Sequence, residues 1–299
     1  AACLSERCGP NHTRGSNCWA ECYMEILLGP NATTPHTGMT ATEITALWLA
    51  PFTQEADGGC PDINHHHDKK GVPAPAEAPF SGVDLSQLGT EDNNGGSPPF
   101  KASPSSPPTD ALALLRQHGA NTFRMRMWND PCADGRCDPK QWSYANLSGV
   151  KLMARRCSAH NLTFVLDLHY SDWWADPGKQ WKPQAWKALA FSDLVDAVHD
   201  FTQASVAALV AQGTPPYAVQ VGNEISNGML WNNASNWSPG PGEEPCSQGG
   251  RLFCGNTDKD KADSWRRFSQ LVAAGIKGAR TACPATKIAI HTDLGNHII

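Results

Sequence analysis

The run Val219–Trp231, VQVGNEISNGMLW, decides the fold of this chain. An apolar strand pattern beginning at Tyr217 ends on Gly222, Asn223 and a carboxylate, Glu224. A buried strand gains nothing from a charge at its tip, because taking an unpaired charge out of water costs several kcal/mol or forces a pKa shift. Either the strand simply ends at solvent, or it belongs to a parallel barrel whose strand ends carry the chemistry. The flanking sequence separates the two.

Upstream and downstream of this run, short apolar strands alternate with helical patterns. FSGVDLS (80–86) leads through a Pro/Ser-rich loop to the helix DALALLRQHG, ending at Gly119. The strand NTFRMRMW, the helix NLSGVKLMARRCSAHN and the strand LTFVLDLHYSD follow. A long helix from about Phe191 to Gln212 precedes YAVQVGNE, and the helix DSWRRFSQLVAAGIKGAR precedes KIAIHTDLG. This β-α-β-α order requires a parallel sheet covered by helices, since right-handed crossovers return each strand to the same direction. None of the five strands carries a G-x-G-x-x-G or P-loop glycine pattern, which counts against a nucleotide fold and gives no cofactor signature. Polar residues at each strand end favour a (β/α) barrel of the α/β class.

Residues 1–79 differ from the remainder. Cys3, Cys8, Cys18, Cys22 and Cys60 cluster there, around the helical patterns CWAECYMEILLG and MTATEITALWLAPF. They read as a small disulfide-stapled helical segment, closed by the Pro/Ala stretch GVPAPAEAP as a domain boundary. The run His65–Asp68 has metal-binding residue types, but its polar setting reads as a solvated linker and no metal site is assigned.

The 299 residues carry a formal charge of −5, and Lys and Arg are scattered. There is thus no electrostatic case for nucleic acid, and no apolar run long enough to span a membrane. Eleven cysteines without paired C-x-x-C spacing point to an oxidising compartment. Sequons at Asn11, Asn31, Asn146, Asn161, Asn233 and Asn236 point the same way. A secreted or vacuolar protein is expected, with one thiol free or paired outside the chain.

Alternation sorts each strand into two faces. Phe123, Met125 and Met127 share a face suited to packing under helices, opposite Arg124, Arg126 and Trp128. Leu166 and Leu168 oppose Val165, Asp167, His169 and Ser171, and His291 shares a face with Asp293. Two arginines inside a plain core would be ruinous, yet they suit a cavity that also holds carboxylates. Trp128, Trp173, Trp174, Trp181, Trp186, Trp231 and Trp237 lie at strand ends or in the following loops. Some of them pack loops together; others can stack on pyranose rings. A carboxylate in such a cleft reads as glycoside hydrolysis, with Glu as the general acid.

At these motifs the chain resembles the endo-β-1,4-galactanases of glycoside hydrolase family 53, secreted retaining enzymes of (β/α)8 fold. GVDLSQLGTED, NTFRMRMWNDP, LDLHYSDWWADP, VGNEISNGMLW and IAIHTDLG resemble the family's first five strands, in order, over roughly residues 80–295. The resemblance implies Glu224 as acid/base and Asn223 as the contact to the sugar 2-OH. It implies Arg124 or Arg126 as the arginine beside the nucleophile, with Asp167, His169, Trp231 and His291 lining the cleft. It further implies a galactan or arabinogalactan substrate. Retaining hydrolysis needs a second carboxylate about 5–5.5 Å from the first, which the family places on strand seven. The chain ends at HTDLGNHII, so that nucleophile and strands six to eight are expected to lie outside it. The competing expectation is a non-catalytic wall or surface glycoprotein built on the same barrel. A related barrel glycosidase would differ only in its glycan.

Overall fold

The computed structural model describes residues 81–88, 100–133, 135, 137–138, 142–232, 249–252, 254 and 257–293. The Cys-rich segment 1–79, the run His65–Asp68, Trp237 and the sequons at Asn11, Asn31, Asn233 and Asn236 lie outside the described residues.

Five strands form one sheet: β1 (Gly82–Asp84), β2 (Thr122–Met127), β3 (Thr163–Leu168), β4 (Ala218–Val221) and β7 (Lys287–Ala289). They pair in the order β1-β2-β3-β4-β7, every pair parallel. Four helices connect them: α1 (Ala111–Gln117), α2 (Leu147–Ala159), α3 (Phe191–Ala211) and α4 (Asp258–Ala282). This is the β/α alternation of a barrel, and it matches the strands and helices expected from sequence. A two-stranded antiparallel ribbon, β5 (Gly228–Met229) with β6 (Gly250–Arg251), stands between β4 and α4. It was not expected, because two-residue strands show no alternation.

Local chemistry sets the helix starts. The Asp110 carboxylate accepts from Leu112 N at 2.8 Å to cap α1, and Asn146 Oδ1 accepts from Gly149 N at 2.9 Å to cap α2. Thr257 and Asp260 form a reciprocal capping box, so α4 begins before Asp263, where the apolar periodicity placed it.

The apolar faces read from alternation are those that are buried. Phe123, Met125, Met127, Phe164, Leu166, Leu168, Val219 and Val221 join Met153, Leu194, Leu209, Leu271 and Ile276 of the helices in one core. Each such side chain contributes about 1.5–3 kcal/mol by leaving water. α3 and α4 approach closely over Gly278, where a Cβ would lie 2.4 Å from the His199 carbonyl oxygen. Cys157, a free thiol among the described residues, sits at full burial in this core, which pushes its pKa up to about 12 and makes it a packing residue. Among the described residues, Cys132 is bonded to Cys137, and no helix is long and apolar enough to cross a membrane.

Candidate active site

The opposite face of the sheet holds a continuous polar network, and Arg124 is its hub. Arg124 stands beside Asp84 in the β1–β2 register. Its Nη1 reaches Asp84 Oδ2 at 2.6 Å, and its Nη2 reaches Asp167 Oδ2 at 2.8 Å. Nη2 also donates to Asn223 Oδ1 at 2.5 Å, and Nε donates to Gln220 Oε1 at 2.9 Å. Three guanidinium hydrogens are thereby donated, to Gln220, Asp84 and Asn223, and Asp167 is held as an ion pair. Burial alone would raise the Asp84 pKa. Hydrogen bonds from the Ser86 hydroxyl and amide, with the Arg124 charge, outweigh it and hold the carboxyl below its ordinary value.

Asp167 is fully buried on β3. Besides Arg124 it receives Gln220 Nε2 at 2.5 Å, and His169 Nε2 lies 2.9 Å from its Oδ2. The other nitrogen of His169, Nδ1, accepts from Ala175 N at 3.0 Å. The His169 proton therefore sits on Nε2 and is donated to Asp167.

At the end of β4 the backbone turns sharply. Gly222 has φ +82°, and Glu224 itself is left-handed, at φ +50° and ψ +49°. A Cβ on Gly222 would meet Ile225 Cγ2 at 2.6 Å, so both the turn and the space require glycine here. The turn buries Asn223 and leaves Glu224 half-exposed. Asn223 Nδ2 donates to Ala175 O at 2.7 Å, which fixes which end of the amide faces Arg124. His291 Nδ1 then donates to Asn223 Oδ1 at 2.7 Å, and Gln180 Nε2 donates to the Asn223 carbonyl at 2.7 Å. Among the described residues the Glu224 carboxylate has no hydrogen-bond or ion-pair partner. It is free to meet a ligand.

The structure thus brings together Glu224, Asn223, Arg124, Asp167, His169 and His291. Four other residues singled out in the sequence lie elsewhere. Arg126 is not part of this network: it is buried, its guanidinium carbon lies 3.6 Å from the Trp174 ring centroid, and Nη2 donates to Tyr144 Oη at 3.0 Å. Although Arg126 pairs with Asp167 in the β2–β3 register, Arg124 takes that carboxylate. Trp128, expected at the cleft surface, is 0% exposed beneath Trp142, Trp173 and Trp174. Trp231 is also buried, packed edge-on against Trp181 and under the Arg251 guanidinium. Trp186 belongs to the core with Tyr170 and Phe201. Alternation cannot tell a surface aromatic from a floor when loops fold over the strand end.

Sequence reasoning missed Asp84, Gln220, Gln180 and the Ala175 peptide. Gln220 was legible as the polar residue between Val219 and Val221, and Asp84 as the charge ending β1. Gln180 and Ala175 act on or through the backbone, which leaves no sequence signal. Among the described residues no cluster of His, Cys, Asp and Glu could hold a metal ion.

The family model of glycosyl hydrolase family 53 matches residues 80–298. The chain belongs to glycosyl hydrolase family 53. It is 36% identical over 219 residues to an uncharacterized protein in the bgaB 5'region of Niallia circulans, covering 73% of this chain and 52% of that one. It is 28% identical over 182 residues to the endo-beta-1,4-galactanase of Bacillus subtilis, covering 61% and 35%. Its fold is similar to the Ignisphaera aggregans GH53 catalytic domain, with TM-score 0.57 and 31% identity over 74% of this chain and 54% of that one. The chain spans about half or less of the curated relatives it matches. The five parallel strands of the described residues are part of this family-53 (β/α) barrel.

Proposed function

We propose that this chain carries the acid/base half of a retaining endo-β-1,4-galactanase acting on galactan or arabinogalactan. The observation that carries the reading is the half-exposed Glu224 carboxylate, without a partner among the described residues, beside the fixed Asn223 amide. Galactanase-named relatives such as that of Bacillus subtilis support the substrate class. In the first step Glu224 protonates the glycosidic oxygen as the bond to the sugar breaks, and in the second it takes a proton from the attacking water. Asn223, Asp167, His169 and His291 form the polar side of the cleft, with Asn223 directed at the sugar 2-OH.

Asp84 and Asp167 are both committed to Arg124, so neither is proposed as the nucleophile. That role is assigned to no residue of this chain. Arg124, with one Nη1 hydrogen unplaced, is the arginine proposed to face the nucleophile. Arg126 is not. We also propose that residues 1–79 form a separate Cys-rich segment ahead of the barrel at 80–299. Secretion is proposed on the eleven cysteines, the six sequons and the Cys132–Cys137 bond.

The test is Glu224→Gln in the full-length protein. Turnover of galactan should fall about 10²–10⁴-fold, with substrate binding kept. The glycosylation step on an aryl galactoside with a good leaving group should suffer much less, because it needs little protonation. Unchanged galactan hydrolysis would remove Glu224 from the acid/base role. Galactan binding without turnover in the unaltered full-length protein would favour the non-catalytic glycoprotein instead.

A further inference from the structure

Arg126 poses a question that the polar network does not answer. Its side chain is almost wholly buried at 4% exposure, Nε is enclosed without a hydrogen-bond partner, and no carboxylate pairs with it among the described residues. A guanidinium in such a setting is expensive, so a plain apolar residue would serve packing better. What holds it is aromatic: Trp174 at 3.6 Å, Trp128 at 5.3 Å and Tyr144 at 5.9 Å from ring centroid to guanidinium carbon. Tyr144 Oη accepts its Nη2 hydrogen, and Ser86 Oγ accepts from its backbone amide. Such desolvated contacts are the strong end of cation–π attraction.

The residue after Trp174 shows what this clip controls. Ala175 is fully buried, and its single residue serves two site groups in opposite directions. Its N–H donates to His169 Nδ1 at 3.0 Å, and its carbonyl accepts from Asn223 Nδ2 at 2.7 Å. The first bond selects the His169 tautomer, and the second selects the orientation of the Asn223 amide. Both depend on where the 174–175 backbone lies. Trp174 stands at the junction, its ring 6.2 Å from that of His169.

We infer that Arg126 is a positioning residue: by stacking on Trp174 it holds the Ala175 peptide, which sets the His169 tautomer and the Asn223 amide beside Glu224. Its action is mechanical and does not run through charge on the nucleophile, which separates it from Arg124. The inference rests on the galactanase reading only for its kinetic consequence.

The experiment uses full-length protein carrying Arg126→Met, with Arg126→Lys as the second variant should the first fail to fold. ¹⁵N NMR of the His169 imidazole reports the tautomer without needing turnover, so it stands whatever Glu224→Gln reveals about the reaction. The expected result is loss of the pure Nε2–H pattern in Arg126→Met and its partial restoration in Arg126→Lys, which keeps a cation over the ring. On galactan, kcat should fall about 10–10²-fold, as displacements near 1 Å do, with the acid limb of the pH–rate profile unmoved. The Arg126→Met effect should shrink in an Asn223→Ala background, because the group it orients is gone. An unchanged His169 tautomer overturns the inference. So does an acid limb that moves to higher pH, which would make Arg126 a charge partner of the nucleophile.

Discussion

Arg124 and Asn223 stand 99 positions apart in the chain, yet the guanidinium Nη2 donates to the amide oxygen at 2.5 Å. The same nitrogen contacts Asp167, and the same side chain reaches Asp84 and Gln220. One residue of β2 therefore ties β1, β3 and β4 together on the site face. Lysine would supply three hydrogens from a single nitrogen and cannot span these four acceptors. In the full-length protein, Arg124→Lys should lower kcat/KM on galactan about 10²-fold. The acid limb of the pH–rate profile should move to higher pH, since a guanidinium lowers a nearby carboxylate pKa by about 1–3 units. A pH–rate profile superimposable on that of the unaltered enzyme would confine Arg124 to a structural role.

Asp110 caps α1 and also meets Arg156 Nη2 at 3.1 Å and His160 Nε2 at 3.5 Å. Burial by itself would raise its pKa; the Leu112 amide bond, Arg156 and His160 together hold it below the ordinary 3.8. A depressed folded pKa means stability that is present above the unfolded value and lost as pH falls through the folded one. Asp110→Asn keeps the cap and removes only the charge. Denaturant titration should show a loss of under about 1 kcal/mol near neutrality. That loss should shrink as pH drops below 3.8. A difference constant down to pH 2.5 or so would place the effect in the cap and not in the charge.

Lys182 is the opposite case. It is buried at 3% exposure, and among the described residues its ammonium has only neutral acceptors, Asn232 Oδ1 at 3.3 Å and Leu189 O at 3.5 Å. Desolvation lowers its pKa from 10.5 to about 8. Between those values the unfolded chain holds a proton that the folded chain has released, so stability rises with pH across that window. Below it, both states are charged and the folded one bears the full desolvation penalty. Lys182→Met should therefore stabilise the protein at pH 6–7 or so, and the gain should fade as pH approaches 10.5. Equal stabilisation at both ends of the range would count against a buried charge as the cause.

The strand faces were legible because period-2 alternation is strict: Phe123, Met125 and Met127 could not share a side with Arg124 without exposing one set. The order of β and α elements fixed a parallel sheet for the same kind of reason. Strand ends were less legible. Trp128 shares its face with Arg124, but whether loops would cover it depends on Trp142 of its own connection and on Trp173 and Trp174 of the next, which pack over it. The division of labour between the two arginines was also hidden. It follows from reach: Arg124 extends to the acceptors of β3 and β4, while Arg126 meets a tryptophan first. The α4 start lay in a polar capping box that apolar periodicity does not register.

Glu224 lies in the left-handed region, where a side chain with a Cβ is strained by about 1–3 kcal/mol. Glycine or asparagine would sit there comfortably. The position is thus one where activity and durability pull apart: Glu224→Gly should melt higher than the unaltered protein while losing turnover. A descendant of this barrel kept only to bind glycans would no longer be held to glutamate, and drift at position 224 would run downhill toward glycine or asparagine.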